Sequence, residues 1–364
     1  MEIKMMETNA QRMPRRPLTA WELPALLVPG YRHRRRCERE PTVRPHFMPI
    51  LGFVYRNRFA TASQIQRRFR DVLRSARTAR RHLAEMEALG WLDVVPARGT
   101  SPLWPKIFVV VPRGARRLRA ALAAKGKSGK VVETDRARSE GYSSEFVVHE
   151  LQITEFLLAI RQTIQERADL ELLRTERRSL VRQPALRIGL DGRAGRLIPD
   201  AMFVHREQGR GSMVSFVELD NGSMSLRQIE TKFRRYEAWS STSTGQQFLM
   251  DQYKRCGAEQ PRPVFRILMV VSDVERPKAI NRMADLLATA TAFPVVSRCA
   301  WFTTTGELHE YQREPTGMTA PLWRKIGDRR ELLTGMTRQE IRRAITDLPL
   351  KSLLVSTRGQ NDTD

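Results

Sequence analysis

The spacing of apolar residues predicts three helices between residues 47 and 90. Residues 47–55 form a short apolar helix, and residues 64–69 follow a segment, 61–63, that offers helix-capping side chains. Ser75 can cap a third helix, and Gly90 can end it. One face of this third helix carries apolar residues at helical spacing. They are Ala76, Ala79, Leu83, Met86 and Leu89.

Two short apolar runs, residues 91–95 and 106–111, follow the helices and are joined by a loop around Arg98. Three helices and a β-hairpin predict a winged helix-turn-helix, whose third helix enters the major groove of DNA while the hairpin touches the backbone. A winged helix that binds a protein is the alternative. The candidate DNA-binding residues lie on the third helix, its flanks and the hairpin loop. They are Arg67, Arg68, Arg77, Thr78, Arg80, Arg81 and Arg98.

The second half of the chain alternates between helical and strand patterns. Its order is helix, three strands, helix, strand, helix, strand, which predicts a mixed sheet with helices on its faces. The predicted segments are residues 143–164, 170–180, 196–205, 213–220, 225–239, 264–271, 279–290 and 295–303. A capping box at residues 337–340 opens a last short helix over 341–346. The fold class is therefore a winged helix-turn-helix followed by a mixed α/β sheet flanked by helices.

The charge of the chain is concentrated in the first of these regions. The formal net charge is +23, and residues 47–140 hold 20 of the 63 basic residues but only 7 of the 40 acidic ones. A strongly positive electrostatic field favours a polyanionic partner. The planar guanidinium group of arginine is suited to hydrogen bonding with phosphate groups. The predicted organisation is a basic arm over 1–46, a DNA-binding domain over 47–124, a linker over 125–141, a second domain over 142–305 and a C-terminal extension over 306–364.

Several protein classes are excluded or disfavoured by composition. Cys37, Cys256 and Cys299 are too far apart for a disulfide framework or a cysteine zinc cluster. No apolar run approaches the roughly 20 residues of a membrane span. The N-terminus lacks the apolar core of a signal peptide, so we expect a cytoplasmic protein without a membrane partner.

Carboxylates interrupt two of the predicted strands. Asp200 follows Ile198-Pro199, and Glu218 and Asp220 share one face of the next strand because side chains alternate along a strand. Carboxylates that converge at a strand end favour Mg²⁺ or Mn²⁺. Asp200, Glu218 and Asp220 are therefore the predicted metal ligands.

The helix that follows these strands adds further polar side chains. Gln228, Lys232 and Tyr236 are four residues apart, so they project from one helix face. A lysine near a metal-bound phosphate could orient an attacking water or stabilise the developing charge. The predicted catalytic set is thus these three residues with the three carboxylates.

The same residues resemble the PD-(D/E)xK nuclease fold, the restriction-endonuclease-like core. Pro199-Asp200 matches the PD element, and Glu218-Leu219-Asp220 stands at the (D/E)xK element, with Asp220 in place of the usual lysine. Some branches of that fold carry the lysine on the next helix, as Lys232 would be here. Together with the winged helix, residues 47–305 resemble the replication-relaxation family of plasmids and mobile elements. The matching segments are Leu89-Gly90-Trp91-Leu92, Pro112-Arg113-Gly114, His149-Glu150-Leu151, Pro199-Asp200 and Glu218-Leu219-Asp220-Asn221-Gly222, with Lys232 and Tyr236.

This resemblance implies a protein that acts on double-stranded DNA in the replication or relaxation of a mobile element. The leading hypothesis is Mg²⁺-dependent DNA hydrolysis, and its rival is a non-catalytic replication or transcription regulator on a degenerate nuclease fold. A third hypothesis is an adaptor whose winged helix docks a replication or conjugation protein. The oligomeric state stays open, a dimer included. Glu150 and Glu176 are predicted to lie on the surface, and His149 to be a core histidine.

Overall fold

The computed structural model describes residues 43–95, 105–126, 143–177, 180, 183–190, 193–209, 211–258, 261–272, 276–311, 321–326, 336–345 and 350–352. Several predicted features lie outside these residues. They are the arm over residues 1–42, the loop that contains Arg98, most of the linker, and the last twelve residues of the chain.

The described residues from 43 to 126 form four helices around a three-stranded antiparallel sheet. In chain order the elements are α1 (Phe47–Asn57), β1 (Phe59–Thr61), α2 (Ala62–Arg68), α3 (Ala76–Ala88), β2 (Leu92–Val95), β3 (Ile107–Val110) and α4 (Pro112–Ala123). The sheet order is β1-β3-β2. The three predicted helices and both predicted strands are present, and β1 is an addition that the sequence pattern did not predict.

Local signals explain where these helices begin and end. The Thr61 hydroxyl accepts from the Gln64 backbone N–H, and the Gln64 side chain accepts from the Thr61 N–H, which completes a capping box at α2. Ser75 caps α3 by accepting from the Thr78 N–H. Gly114 lets α4 pack against the strand region, because a Cβ there would lie 2.2 Å from the Trp91 carbonyl oxygen.

The rest of the described chain builds a seven-stranded mixed sheet with helices on both faces. Its elements are α5 (Ser144–Gln165), β4 (Leu170–Glu176), β5 (Arg187–Leu190), β6 (Arg193–Arg196), β7 (Ala201–Glu207), β8 (Gly211–Asp220), α6 (Leu226–Ser240), α7 (Ser243–Arg255), β9 (Arg266–Val271), α8 (Arg276–Ala290), α9 (Pro294–Cys299), β10 (Ala300–Thr304), α10 (Thr305–Tyr311), β11 (Pro321–Lys325), α11 (Arg338–Ala344) and β12 (Leu350–Ser352). The strand order of this sheet is β12-β11-β10-β9-β8-β7-β4, and β5 and β6 pair as a separate two-stranded sheet. The three central strands β8, β9 and β10 are parallel, and the outer strands are antiparallel.

Each face of the sheet has its own apolar core. On one face, Phe216, Ile267 and Met269 pack against α6, α7, α8 and α9. On the other, Val217 and Leu268 pack against the C-terminal half of α5. Burial on both faces accounts for the continuous apolar runs in the central strands.

Helix α5 contacts both parts of the described chain. Its first turns bury Val147 and Leu151 against β1 and β3, next to Phe59 and Ile107. Gln64 of α2 donates a hydrogen bond of 2.9 Å to the carbonyl oxygen of Leu151. The helix that opens the second predicted domain therefore also closes the core of the first.

Three element predictions need correction. Residues 295–303 were predicted as one strand, but Pro294–Cys299 is a helix. Proline favours the first turn of a helix. The Ser297 hydroxyl also donates to the carbonyl oxygens of Ala290 and Phe293, both at 2.8 Å, and these bonds stabilise the helical conformation. The predicted strand 196–205 is divided, since Pro199 has no N–H for a sheet ladder. The sheet also continues past residue 305, because β11 and β12 extend it.

Candidate functional site

The exposed face of α3 is arginine-rich. Arg77, Arg80 and Arg81 are exposed, whereas Ala79 and Leu83 are buried in the core, as helical spacing requires. Among the described residues, Arg77 and Arg80 form no ion pair with a carboxylate. Their guanidinium groups are therefore available for an external anion.

The other candidate DNA contacts have different surroundings. The Thr78 hydroxyl lies 3.0 Å from the Ser75 hydroxyl at the start of α3. Arg67 donates to Glu155, a buried carboxylate on α5, so this arginine connects α2 to α5. The Arg68 guanidinium lies over the ring of Phe69, 5.1 Å from its centre.

Asp200 lies at the turn into β7, beside β8. Its backbone N–H donates to the carbonyl oxygen of Val217, and its Oδ2 accepts from the Leu219 N–H at 2.9 Å. Nε2 of His149 lies 3.4 Å from that Oδ2 and 3.2 Å from the Leu219 carbonyl oxygen. The bond from the Leu219 N–H therefore fixes the side chain of Asp200 on the backbone of β8.

Charge partners shift the pKa values of this pair in opposite directions. Burial opposes ionisation of Asp200, but Lys232, His149 and the Leu219 N–H hold its pKa well below the usual value. Burial alone would lower the pKa of His149, and the Asp200 carboxylate raises it instead. The two side chains thus form a charged pair at mildly acidic pH.

Glu218 is buried inside the α6 face of the sheet, with 1% of its surface exposed. Its Oε1 accepts from the Tyr236 hydroxyl at 2.7 Å, and its Oε2 accepts from Nζ of Lys232. Burial raises the pKa of Glu218 to about 7, with Lys232 opposing that rise and Asp200 adding to it. Burial would lower the pKa of Lys232, but the carboxylates of Glu218 and Asp200 raise it.

Asp220 ends β8 and is held by a partner from α8. Nε of Arg282 donates to its Oδ2 at 2.6 Å, and Nη2 donates to its Oδ1 at 3.3 Å. The Gly222 N–H donates to the same Oδ1 at 3.1 Å. Nη2 of Arg282 also donates to the Met224 carbonyl oxygen, which ties the strand end to the loop before α6.

A cleft of about 610 Å³ opens at this end of the sheet. His149, Asp200 and Lys232 line it together. Tyr236 is fully buried behind Glu218. Gln228 is exposed and closes the capping box of α6, where its side-chain oxygen accepts from the Ser225 N–H at 2.7 Å. The structure therefore brings Asp200, Glu218, Lys232 and Tyr236 together and places Gln228 at the helix end.

The three carboxylates at this end of the sheet are the ones predicted to bind a divalent cation. Within the described residues, no group of three His, Cys, Asp or Glu side chains is placed to hold a metal ion. Glu218 is occupied by Lys232 and Tyr236, and Asp220 by Arg282. This arrangement does not fit a bound Mg²⁺ or Mn²⁺.

Two cationic partners of the carboxylates, His149 and Arg282, were not among the predicted site residues, and the prediction for a third residue, Glu150, was wrong. His149 was predicted to be a core histidine, yet it lines the cleft beside Asp200; its one signal was its place in the His149-Glu150-Leu151 segment. Arg282 carried no signal. Glu150, predicted to lie on the surface, is 8% exposed and accepts from the buried Arg177 at 3.0 Å.

Glu176 shares that surface prediction. It lies half-buried in β4, where it pairs with Arg174. A metal role for Glu150 or Glu176 has no support in these ion pairs.

None of the helices in the described part of the chain combines the length and apolar character of a membrane span. No curated protein and no solved structure matches the chain. Residues 51–249 match the family described as Replication-relaxation, and this match begins in α1 and ends in α7. The matched residues include the arginine face of α3, the whole of α5, and the three carboxylates Asp200, Glu218 and Asp220. More than half of the sequence lies within it, and the chain belongs to the Replication-relaxation family.

Proposed function

We propose that the protein binds double-stranded DNA as part of the replication or relaxation of a plasmid or mobile element. Family membership supports the setting, and the N-terminal part supports the mode of binding. The element order α1-β1-α2-α3-β2-β3, with a sheet order of β1-β3-β2, is that expected of a winged helix. In that fold α3 is the helix that enters the major groove.

The exposed arginine face of α3 carries this proposal. Arg77, Arg80 and Arg81 lie at positions i, i+3 and i+4, so they share one face of the helix. Several positive side chains on one exposed helix face favour an anionic partner, and duplex DNA presents a regular row of phosphate groups. The net charge of +23 supports the same partner.

For the mixed sheet we propose a non-catalytic role, as a scaffold derived from a nuclease-like fold. Each of the three carboxylates has a cationic partner from a different helix: His149 for Asp200, Lys232 for Glu218 and Arg282 for Asp220. These ion pairs connect α5, α6 and α8 to the sheet.

The test is DNA binding by the Arg77→Ala/Arg80→Ala double variant. Loss of two phosphate or base contacts should weaken affinity for a short duplex by about 10-fold or more, measured by fluorescence anisotropy. The fold should persist, because neither side chain is in the core. Arg227→Ala/Arg262→Ala removes the same charge from exposed positions in the other part of the chain and is the control. Equal affinity in both double variants would rule out α3 as the interface.

Metal-dependent DNA cleavage is the second candidate function. The observation that favours it is that Asp200 and Lys232 line one cleft, with Glu218 next to them. Cleavage there would require the carboxylates of Glu218 and Asp220 to leave Lys232 and Arg282.

Supercoiled plasmid separates the two candidates. With the full chain and either Mg²⁺ or Mn²⁺, we expect no nicking above the metal-free reaction. Nicking that disappears in Asp200→Asn, but persists in Glu171→Gln, would establish the cleavage function instead. Glu171 is a suitable control because its carboxylate is exposed on the edge strand β4.

A further inference from the structure

A second basic surface lies between α2 and α5, away from the cleft at the sheet end. It is a groove of about 310 Å³. Four arginines line it, together with glutamine side chains that can also donate hydrogen bonds. These lining residues include Arg67, Arg68, Arg70, Arg161, Gln66 and Gln162.

Much of the positive charge in this groove lacks an acidic partner. Glu155 neutralises Arg67. Arg68 and Arg161 are half-buried and form no ion pair with a carboxylate in the described ranges. Asp71 offsets part of the charge on Arg68 only at longer range.

The arginines also act on one another across three helices. Removal from water, followed by repulsion from Arg68 and Arg56, lowers the pKa of Arg161. Arg56 belongs to α1, Arg68 to α2 and Arg161 to α5, so the tertiary fold itself brings the charges together. Like charges gathered at a partly desolvated site raise the free energy of the folded protein unless an anion is bound.

The chemistry of the lining indicates which anion fits. Guanidinium forks bind phosphate oxygens in a bidentate manner, and the carboxamide of Gln66 can add donors, whereas that of Gln162 already donates to Glu166 at 3.0 Å. The lining residues include no aromatic ring on which a base could stack. The groove thus suits a sugar–phosphate chain better than a free nucleobase or a nucleotide read by its base.

We propose that the groove between α2 and α5 binds the phosphodiester backbone of nucleic acid. This inference rests on the proposed DNA-binding function and adds a second contact to it, beside the one made by α3. Arg70 lies in the segment that joins α2 to α3, so basic side chains continue from the groove toward the arginine face. DNA would be held at the junction where α5 meets the N-terminal part.

The test compares Arg68→Gln/Arg161→Gln with Arg227→Gln/Arg262→Gln in the full chain. Both double variants lose two positive charges, but only the first pair alters the groove. We expect the groove variant to bind a short DNA duplex about 10-fold more weakly than the control. Its slope of log affinity against log salt should be smaller by about two, because two phosphate contacts are lost.

Thermal unfolding with inorganic pyrophosphate gives an independent readout. Pyrophosphate should raise the Tm of the native chain and of the control clearly more than that of the groove variant, in which only the arginines outside the groove remain. Without any anion, the groove variant should melt no lower than the native chain, because the substitutions relieve repulsion. A clearly lower Tm in that condition would mean that Arg68 and Arg161 are structural, and would overturn the proposal.

The outcomes also separate this proposal from the α3 interface. If Arg77→Ala/Arg80→Ala loses affinity while the groove variant matches its control, α3 binds DNA and the groove does not. If the groove variant loses only the pyrophosphate effect and keeps its DNA affinity, the groove takes a small phosphate ligand and the backbone assignment is wrong. If only the groove variant loses affinity, the α3 proposal fails and the groove proposal stands.

Discussion

At the residue scale, Glu218 and Lys232 form a pair whose stability depends on pH. The ordinary pKa of a glutamate is 4.5, and burial raises that of Glu218 to about 7. Between these values the unfolded chain has released the proton and the folded chain retains it, so the free energy of unfolding falls as pH rises from 4.5 to about 7. Lys232 limits this loss, since its ammonium favours the ionised carboxylate.

Lys232→Met should therefore destabilise the protein far more at about pH 8 than at about pH 5. At the higher pH it leaves a buried carboxylate with no cation, which costs roughly 3 kcal/mol or more. At the lower pH Glu218 is protonated and the cost should be smaller. Urea unfolding at the two pH values measures the difference.

A second substitution provides the control for this prediction. Glu218→Gln added to Lys232→Met removes the carboxylate as well, so most of the pH dependence introduced by Lys232→Met should disappear. An equal destabilisation at both pH values in the single variant would show that Lys232 does not act through the ionised carboxylate of Glu218.

At the scale of elements, local signals made some structures predictable and others not. Helix α3 was predicted within one residue, because the Ser75 cap and the apolar spacing both lie inside the segment. Strand β1 was missed because it has three residues and forms through pairing with β3, as in Phe59 with Val109. A strand of three residues is too short to show the alternation of apolar and polar residues, and its partner lies far away in the sequence.

In the candidate site, too, features with a local sequence signal were predicted, and features that depend on residues distant in sequence were not. Asp200 and Glu218 were predicted to converge at a strand end, and β7 does pair with β8, with Ala201 opposite Val217. The ion pair between Asp220 and Arg282 joins residues 62 positions apart, and nothing near either residue indicates the other. The three carboxylates and Lys232 could be predicted from sequence, whereas the pairing of His149 with Asp200 and of Arg282 with Asp220 could not.

At the scale of the whole molecule, α5 joins the basic N-terminal part to the mixed sheet. Its N-terminal turns contribute Val147 to the core around β1 and β3, and its C-terminal half contributes Phe156 to the core under the sheet. Of the two proposed DNA-binding surfaces, the arginine face of α3 lies in the N-terminal part, and the groove lies at the junction itself, between α2 and α5. The acidic cluster lies on the other side, where its charges are compensated internally.

The salt dependence of DNA affinity tests the central claim most directly. If α3 and its flanks make six or more phosphate contacts, affinity of the full chain for a short duplex should fall by roughly 10³-fold between about 50 and 200 mM salt. Arg77→Ala/Arg80→Ala should reduce the slope of log affinity against log salt by about two. An affinity that hardly changes with salt, or a slope unaltered by this double variant, would contradict the account of a DNA-binding protein that uses the arginine face of α3.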